Sequence, residues 1–445
     1  MDMSLNVSFD FNKTTGLMKP LHGVNNSPKV LRGPEQTFTD AGIPYMRTHD
    51  TMGAYGGTHF VDVPNIFKDF DADENDPAAY DFAFTDAYIG NIIKSGTKIF
   101  YRLGVTIENN WDIKAYNIYP PKDFHKWARI CEHIIRHYNE GWANGFYHNI
   151  EYWEIWNEPE NPPMWRGTKE QFYELYSVAA NHLKNCFPNI KVGGYAGCGF
   201  YYASGHDKSD FAKSFVTFFD EFLDYISAPE TSAPLDFYSW HIYTADPNII
   251  AAHAKYVREK LDEKGFTETE HMLNEWNRMT GDTPESYEEM RNHKGASFCA
   301  QTFAIMQESS LDKAMYYDAY PMRRYCGLYT FPGYRPTKTY YSFYAFNRLY
   351  RLGDCVGVKV FGEEQASAMA ATDGENKAIL LANYSENEQH ILLDLEGVDE
   401  KTEFVLYVTD EQITYEKHSQ VSPSESGKLS FFLSPYSVML LEHTV

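Results

Sequence analysis

The chain has 445 residues, 62 of them acidic and 39 basic, for a net charge of -23 at pH 7, and 43% of it is apolar. That length exceeds the roughly 250 residues of a single (β/α)8 barrel, so one barrel with a smaller appended domain fits it, and the apolar content rules out a disordered chain. An acidic surface of this size repels phosphate backbones and anionic lipid, which excludes nucleic acid and membrane as expected partners and suits a neutral ligand.

From about residue 20 to 345, short β-rich runs alternate with longer amphipathic stretches, the pattern of parallel strands joined by helices. Strands are predicted over 21–25, 45–49, 98–103, 152–156, 191–195, 237–243, 271–276 and 314–318, eight in all. Helices are predicted between them over 123–138, 169–186, 210–226 and 249–264, and Gly96, Gly265 and the Pro188-Asn189 pair supply stop signals. Eight strands in this order predict an α/β fold, a closed (β/α)8 TIM barrel over 12–345. Residues 51–80, rich in Gly, Asp and Pro, form a long loop that in a barrel lies over the active-site face.

After about residue 345 the period changes. Residues 378–384, 389–395, 403–408, 428–433 and 437–442 read as alternating strands with polar turns and no helix. They predict a small antiparallel β-sandwich domain over 346–445, to which the alternating run 4–11 within residues 1–11 is a candidate further strand. Such a domain would buttress the barrel or pack against another subunit, which leaves a homo-oligomer open.

The six cysteines, Cys131, Cys186, Cys198, Cys299, Cys326 and Cys355, are scattered without a CxxC pair, so buried free thiols are expected. Residues 1–6 lack a basic region followed by an apolar run, so no signal peptide is expected, and no run of about 18 apolar residues predicts a span. Together these point to a cytoplasmic protein. Aromatic residues make up 16% of the chain; most fill cores, and a minority are expected to pack on sugar CH faces.

Two segments carry chemistry. In Trp153-Glu154-Ile155-Trp156-Asn157-Glu158-Pro159-Glu160 a strand pattern runs into a proline that ends the ladder, so Asn157 and Glu158 sit at the carboxyl end of the fourth strand. In Leu273-Asn274-Glu275-Trp276-Asn277 the seventh strand ends in a second carboxylate. Either alone has a bland reading, a turn or a structural ion pair. Together they match the two carboxyl groups that flank a scissile glycosidic bond, about 5–5.5 Å apart when configuration is retained. Strands four and seven of a barrel point across the same mouth.

With Tyr-Trp-Glu-Ile-Trp-Asn-Glu-Pro at 152–159, Ser239-Trp240-His241-Ile242-Tyr243, His22-Gly23-Val24-Asn25 and Glu275, the chain resembles clan A of the glycoside hydrolases, and within it family 39, best known for β-xylosidases. The resemblance implies Glu158 as acid/base, Glu275 as nucleophile and Asn157 on the sugar 2-hydroxyl. It implies Tyr243 as the group that holds the nucleophile, with no cofactor and no metal. His241 shares a strand face with Tyr243, and Arg47 shares one with His49, which makes them candidate orienting or sugar-binding groups. Each has a structural alternative: a hydrogen-bonded core histidine, an ion-paired arginine, and for Asp50 a turn cap.

The chain departs from the clan at strand eight, where a tryptophan is usual and this sequence reads Met315-Tyr316-Tyr317-Asp318-Ala319-Tyr320. Tyr317 or Tyr320 would serve as the platform, and Trp276 is a second aromatic candidate. No His-x-His metal pattern opens an early strand, His22, His49 and His59 being dispersed. Gly53-Ala54-Tyr55-Gly56-Gly57 lacks the Lys-Ser/Thr of a phosphate loop, and no G-x-S-x-G elbow is present. The reading is a retaining, exo-acting, β-xylosidase-like glycoside hydrolase acting on an oligosaccharide or glycoside. The alternatives are a β-glycosidase for an arabinopyranoside, galactoside, glucoside or uronide, a transglycosylase, and a non-catalytic carbohydrate-binding barrel. Arg32, Arg323 or Arg324 facing the pocket would favour uronides.

Overall fold

The computed structural model describes residues 4–29, 33, 35–51, 60–106, 118–321, 324–330, 332–361 and 366–445. Arg32, residues 52–59 (with the glycine-rich stretch and His59) and Arg323 lie outside them. After β1 (Ser4–Leu17) the chain runs through β2 (Gly23–Asn25), α1 (Gln36–Asp40), β3 (Tyr45–Thr48), α2 (Val63–Ile66), α3 (Ala83–Ile93), β4 (Lys98–Leu103), α4 (Phe124–Glu140), β5 (Tyr152–Ile155), α5 (Lys169–Cys186) and β6 (Lys191–Gly197). It continues through α6 (Asp210–Ser227), β7 (Phe237–Tyr243), α7 (Pro247–Glu263), β8 (Glu270–Asn277), α8 (Pro284–Arg291), α9 (His293–Glu308), β9 (Lys313–Tyr316) and α10 (Lys338–Tyr350). The rest is β: β10 (Asp354–Phe361), β11 (Ala366–Thr372), β12 (Lys377–Asn383), β13 (Gln389–Glu396), β14 (Phe404–Thr409), β15 (Glu416–Val421), β16 (Lys428–Leu433) and β17 (Ser437–His443).

Strands β2 to β9 are parallel and close into an eight-stranded barrel. Helix boundaries follow local capping. Thr168 and Gln171 form a reciprocal capping box that starts α5. Asp123 caps α4, whose buried stripe of Trp127, Ile130, Ile134 and Tyr138 faces the barrel, and Gly141 ends it at φ 74°. Strand ends differ from the sequence expectation for backbone reasons. Leu21 is held in a turn by its bond to the Lys19 carbonyl, so β2 starts at Gly23. Past Tyr316 the chain leaves the ladder, and Asp318 N–H bonds the Tyr325 carbonyl.

The barrel interior is layered. At one end Tyr45, Phe100, Tyr152, Phe237, Met272 and Met315 form an apolar plug. Two residues further along the same strands the inward positions are Arg47, Glu154, Ser239 and Asn274, all buried and polar. Of the predicted long loop, Thr51 and 60–80 lie within the described residues, with α2 and a Phe67–Tyr80 bridge.

The other strands form one nine-stranded sheet, in the order β15-β14-β17-β12-β11-β10-β1-β13-β16, rather than two separate sheets. It curls so that Leu5, Val7, Phe9, Leu381, Ile391, Leu393, Leu406 and Leu441 share one enclosed core. Its outer face places Met369, Leu380 and Leu440 in the barrel's core with Phe303 of α9 and Phe346 of α10. Its pairings are antiparallel except β1–β13, which is parallel. α10 carries helix to Tyr350, five residues past the expected change of period. All six cysteines are unpaired; Cys186 and Cys198 are half-buried and the other four buried. Among the described residues no helix is long and apolar enough to cross a membrane.

Candidate active site

Glu158 and Glu275 meet at the carboxyl end of the barrel. β5 ends at Ile155, and Trp156 and Glu158 then adopt left-handed backbone (φ 72° and 44°), while Glu158 N–H stays tied to the carbonyls of Tyr195 and Ala196. Glu275 is aimed by an irregularity in β8. Trp240 pairs with Leu273 but His241 pairs with Glu275, so Asn274 is an inserted residue. This bulge lets Asn274 and Glu275 both face inward.

Arg47 is the centre of the polar layer and has no exposed surface. Its Nε donates to Glu154 Oε2 at 2.7 Å, one Nη to Glu275 Oε1 at 2.7 Å and Asn25 Oδ1 at 3.2 Å, and the other to Asn157 Oδ1 at 2.7 Å. Burial opposes its charge, but Glu154 and Glu275 outweigh burial, so its pKa lies above the ordinary value. Ser239 and Asn274 donate to the other Glu154 oxygen at 2.6 and 2.5 Å. The bond to Arg47 also fixes which way the Asn157 amide points.

Glu275 Oε2 accepts from the Tyr243 hydroxyl at 2.6 Å. Burial, then the Glu275 charge, hold that phenol well above its usual pKa, so it remains a donor. His49 Nε2 lies 3.6 Å from Glu275 Oε1 and 3.3 Å from Asp50. His241 bridges the two acids: Nδ1 is 2.7 Å from Glu158 Oε1 and Nε2 is 3.5 Å from Glu275 Oε1. Asn161 donates to the other Glu158 oxygen at 3.1 Å.

Burial alone would raise the Glu158 pKa; the His241 contact, followed by Asn161 and Arg47, brings it below the ordinary carboxylate value instead. The His241 contact therefore works against the raised pKa that a proton donor needs.

Tyr317 lies just past β9, in the segment where the resemblance leads to the expectation of a tryptophan. Its ring lies 6.4 Å from His49 and 6.5 Å from Tyr243, and its hydroxyl donates to Asp50 at 2.6 Å. Tyr325 closes the same wall, 5.3 Å from Tyr317. Trp276 does not belong to it. β8 continues through Asn277, so the residue after inward Glu275 points outward, and Trp276 is fully buried against Phe298, Phe303, Tyr316 and Phe343. The other predicted site residues, Arg47, His49, Asn157, His241, Tyr243 and Tyr317, gather around the two acids. Sequence reasoning missed Glu154, Asn274, Asn161 and Tyr201, whose hydroxyl bonds the Tyr243 backbone on both sides. For Glu154 the signal available was a polar residue within an apolar strand; Asn161 and Tyr201 lie in loops, and Asn274 depends on the bulge.

Glu158, His241 and Glu275 each bring a donor atom within 4.8 Å of the others, and Glu132, His182 and Cys186 do the same on the outer helices. At the first cluster the Glu275 oxygens already hold Arg47 and Tyr243, an arrangement that opposes an added cation.

Similarity to known proteins falls on this architecture. A β-xylosidase from Geobacillus stearothermophilus is 25% identical over 244 residues, 53% of this chain and 42% of that protein. A β-xylosidase from Caldicellulosiruptor saccharolyticus is 27% identical over 207 residues, 43% of this chain and 38% of that protein. The matched segments thus span less than half the length of these relatives. Among solved structures, a glucosidase from Croceicoccus marinus superposes with a TM-score of 0.79 at 23% identity, covering 100% of this chain and 99% of that one. A monomeric β-xylosidase from Caulobacter crescentus CB15 gives 0.70 at 14% identity, covering 98% and 99%; at such identities these likenesses carry the fold. The pattern of glycosyl hydrolases family 39 matches residues 25–313, about two-thirds of the chain and nearly the whole barrel, and the chain belongs to that family.

Proposed function

We propose a retaining, exo-acting glycosidase of the β-xylosidase type, with Glu275 as nucleophile and Glu158 as acid/base. The observation that carries this is spacing: an oxygen of each acid lies within 4.8 Å of the other. Such proximity suits a double-displacement pair, whose carboxyl groups lie about 5–5.5 Å apart, better than an inverting pair at about 6.5–9.5 Å. Glu275 attacks the anomeric carbon while Glu158 protonates the leaving oxygen; Glu158 then takes a proton from water, which releases the sugar with its configuration kept. Arg47 and Tyr243 aim and balance the nucleophile. Glu158 is still 17% exposed at its side chain. A bound sugar covers that remainder, strengthens burial, and moves Glu158 toward the protonated state a donor needs. Asn157 is assigned to the 2-hydroxyl, and His49, Tyr317 and His241 to the sugar ring and its hydroxyls.

The exo reading is tested by products: single sugars support it, and mixed oligomers refute it. β-Xyloside is the first substrate choice because the Geobacillus and Caldicellulosiruptor relatives are β-xylosidases. β-Glucoside is second, because the glucosidase fold matches along the whole chain and Tyr317 replaces the usual tryptophan.

The test is a panel of p-nitrophenyl α- and β-glycosides assayed beside Glu275→Gln and Glu158→Ala. Turnover is expected to vanish in Glu275→Gln. Glu158→Ala is expected to lose poor leaving groups far more than activated ones and to yield a retained-configuration azide adduct. Substantial turnover in Glu275→Gln removes it from the role.

A further inference from the structure

We propose that Glu160, two residues past the acid/base, is a positioning residue that works as a neutral carboxylic acid: it fastens the Glu158 loop to the end of β6 and keeps a second negative charge away from Glu158. The inference rests on the assignment of Glu158 above.

Glu160 Oε1 accepts the Cys198 backbone N–H at 2.5 Å. The Glu158 N–H bonds the Tyr195 and Ala196 carbonyls, so both ends of 158–160 are fixed to one strand. Gly197 makes the approach possible: a Cβ there would lie 3.3 Å from Glu160 Oε1 and 2.7 Å from the Tyr238 hydroxyl. The second oxygen, Oε2, is buried without a hydrogen-bond partner.

The titratable groups facing Glu160 among the described residues are Glu158 on its own loop, Cys198 and Tyr195 of β6 and its end, Tyr238 of β7 and Tyr173 of α5. All are acids. An ionised Glu160 would hold a buried charge with no cation beside it. Burial first, then the Glu158 charge, push its pKa up to about 8, against the weaker pull of its own amide and Cys198.

Glu160→Gln and Glu160→Ala test this with two readouts. The first needs no substrate. The folded-state pKa lies above the unfolded 4.5, so the neutral acid's stability is present below 4.5 and is lost as pH rises to about 8. Glu160→Gln carries no such loss. Its melting temperature relative to wild type is expected to climb from about pH 5 to pH 8 and then level. A gap that stays constant with pH overturns the neutral state.

The second readout is rate. With a poor leaving group Glu160→Ala is expected to lose at least about tenfold in kcat, with an activated aryl glycoside less than about threefold, and Glu160→Gln to regain most of the loss. Equal loss on both substrates overturns the link to Glu158. If the melts behave as stated but no glycoside is cleaved, the glycosidase reading falls and takes the positioning role with it, while the neutral acid stands.

Discussion

Glu154→Gln probes the polar layer beneath the proposed catalytic pair. Donors from Arg47, Ser239 and Asn274 converge on Glu154 at 2.7, 2.6 and 2.5 Å. Gln keeps one oxygen, enough for Ser239 and Asn274, but turns its amide N–H toward the Arg47 Nε–H. A charge-assisted bond then becomes a meeting of two donors, and Arg47 loses one of its two buried counter-charges. Breaking a buried ion pair costs about 3–5 kcal/mol. Arg47 keeps Glu275 at 2.7 Å, which sets the expected loss at the lower end, about 3 kcal/mol. Urea unfolding followed by tryptophan fluorescence reads it from the midpoint and slope. Turnover should fall too, by about tenfold in kcat, because the whole guanidinium charge now rests on Glu275 and restrains the attacking oxygen. A stability loss under about 1 kcal/mol with kcat unchanged would refute the claim that Glu154 balances Arg47.

Tyr243→Phe removes the 2.6 Å bond to Glu275 Oε2. A charge-assisted bond contributes about 1.5–3 kcal/mol, so kcat/KM should drop about 10- to 100-fold, with a stability loss of about 1–3 kcal/mol; a drop under threefold would refute the role of Tyr243 on the nucleophile. Trp276→Ala should cost about 3–5 kcal/mol of stability and leave KM alone, whereas a raised KM in a stable variant would return Trp276 to the sugar. His22, His253 and His271 are held by burial at about 3, against about 6.5 in the unfolded chain. Their depressed pKa values mean stability is present above pH 6.5 and lost as pH falls toward 3, by about 1.4 kcal/mol per pH unit for each histidine. Urea midpoints between pH 6.5 and 4.5 should show His271→Gln with a slope smaller than wild type by about 1.4 kcal/mol per pH unit; an unchanged slope would refute the burial of a neutral His271.

The barrel was legible because its information is local. Apolar alternation marks the strands, and caps such as Thr168 with Gln171 mark helix starts, so the predicted 169–186 coincides with α5. The second sheet was half legible. β11 reads Ala-Ser-Ala-Met-Ala-Ala-Thr, nearly without the branched and aromatic residues that signal strands. β15 is almost wholly polar because it is an edge strand facing solvent. β10 carries Val356, Val358 and Val360 in clear alternation and could have been found. That β1 lies between β10 and β13, parallel to the latter, is a pairing of residues nearly the whole chain apart, which no local pattern encodes.

The site divides the same way. Two carboxylates at strand ends, and the i, i+2 pairs Arg47/His49 and His241/Tyr243, follow from period-2 geometry, and all of them converge. Trp276 turns away from the site because, inside a strand, neighbours of an inward residue face outward. Glu154 and Asn274 failed for a subtler reason. A regular β8 with Glu275 inward would send Asn274 into the helix layer. The bulge at Asn274 brings both inward, so that Asn274 holds Glu154, Glu154 holds Arg47, and Arg47 holds Glu275. The charge balance of the proposed nucleophile therefore depends on one inserted strand residue, a feature of the pairing between β7 and β8 rather than of either sequence alone.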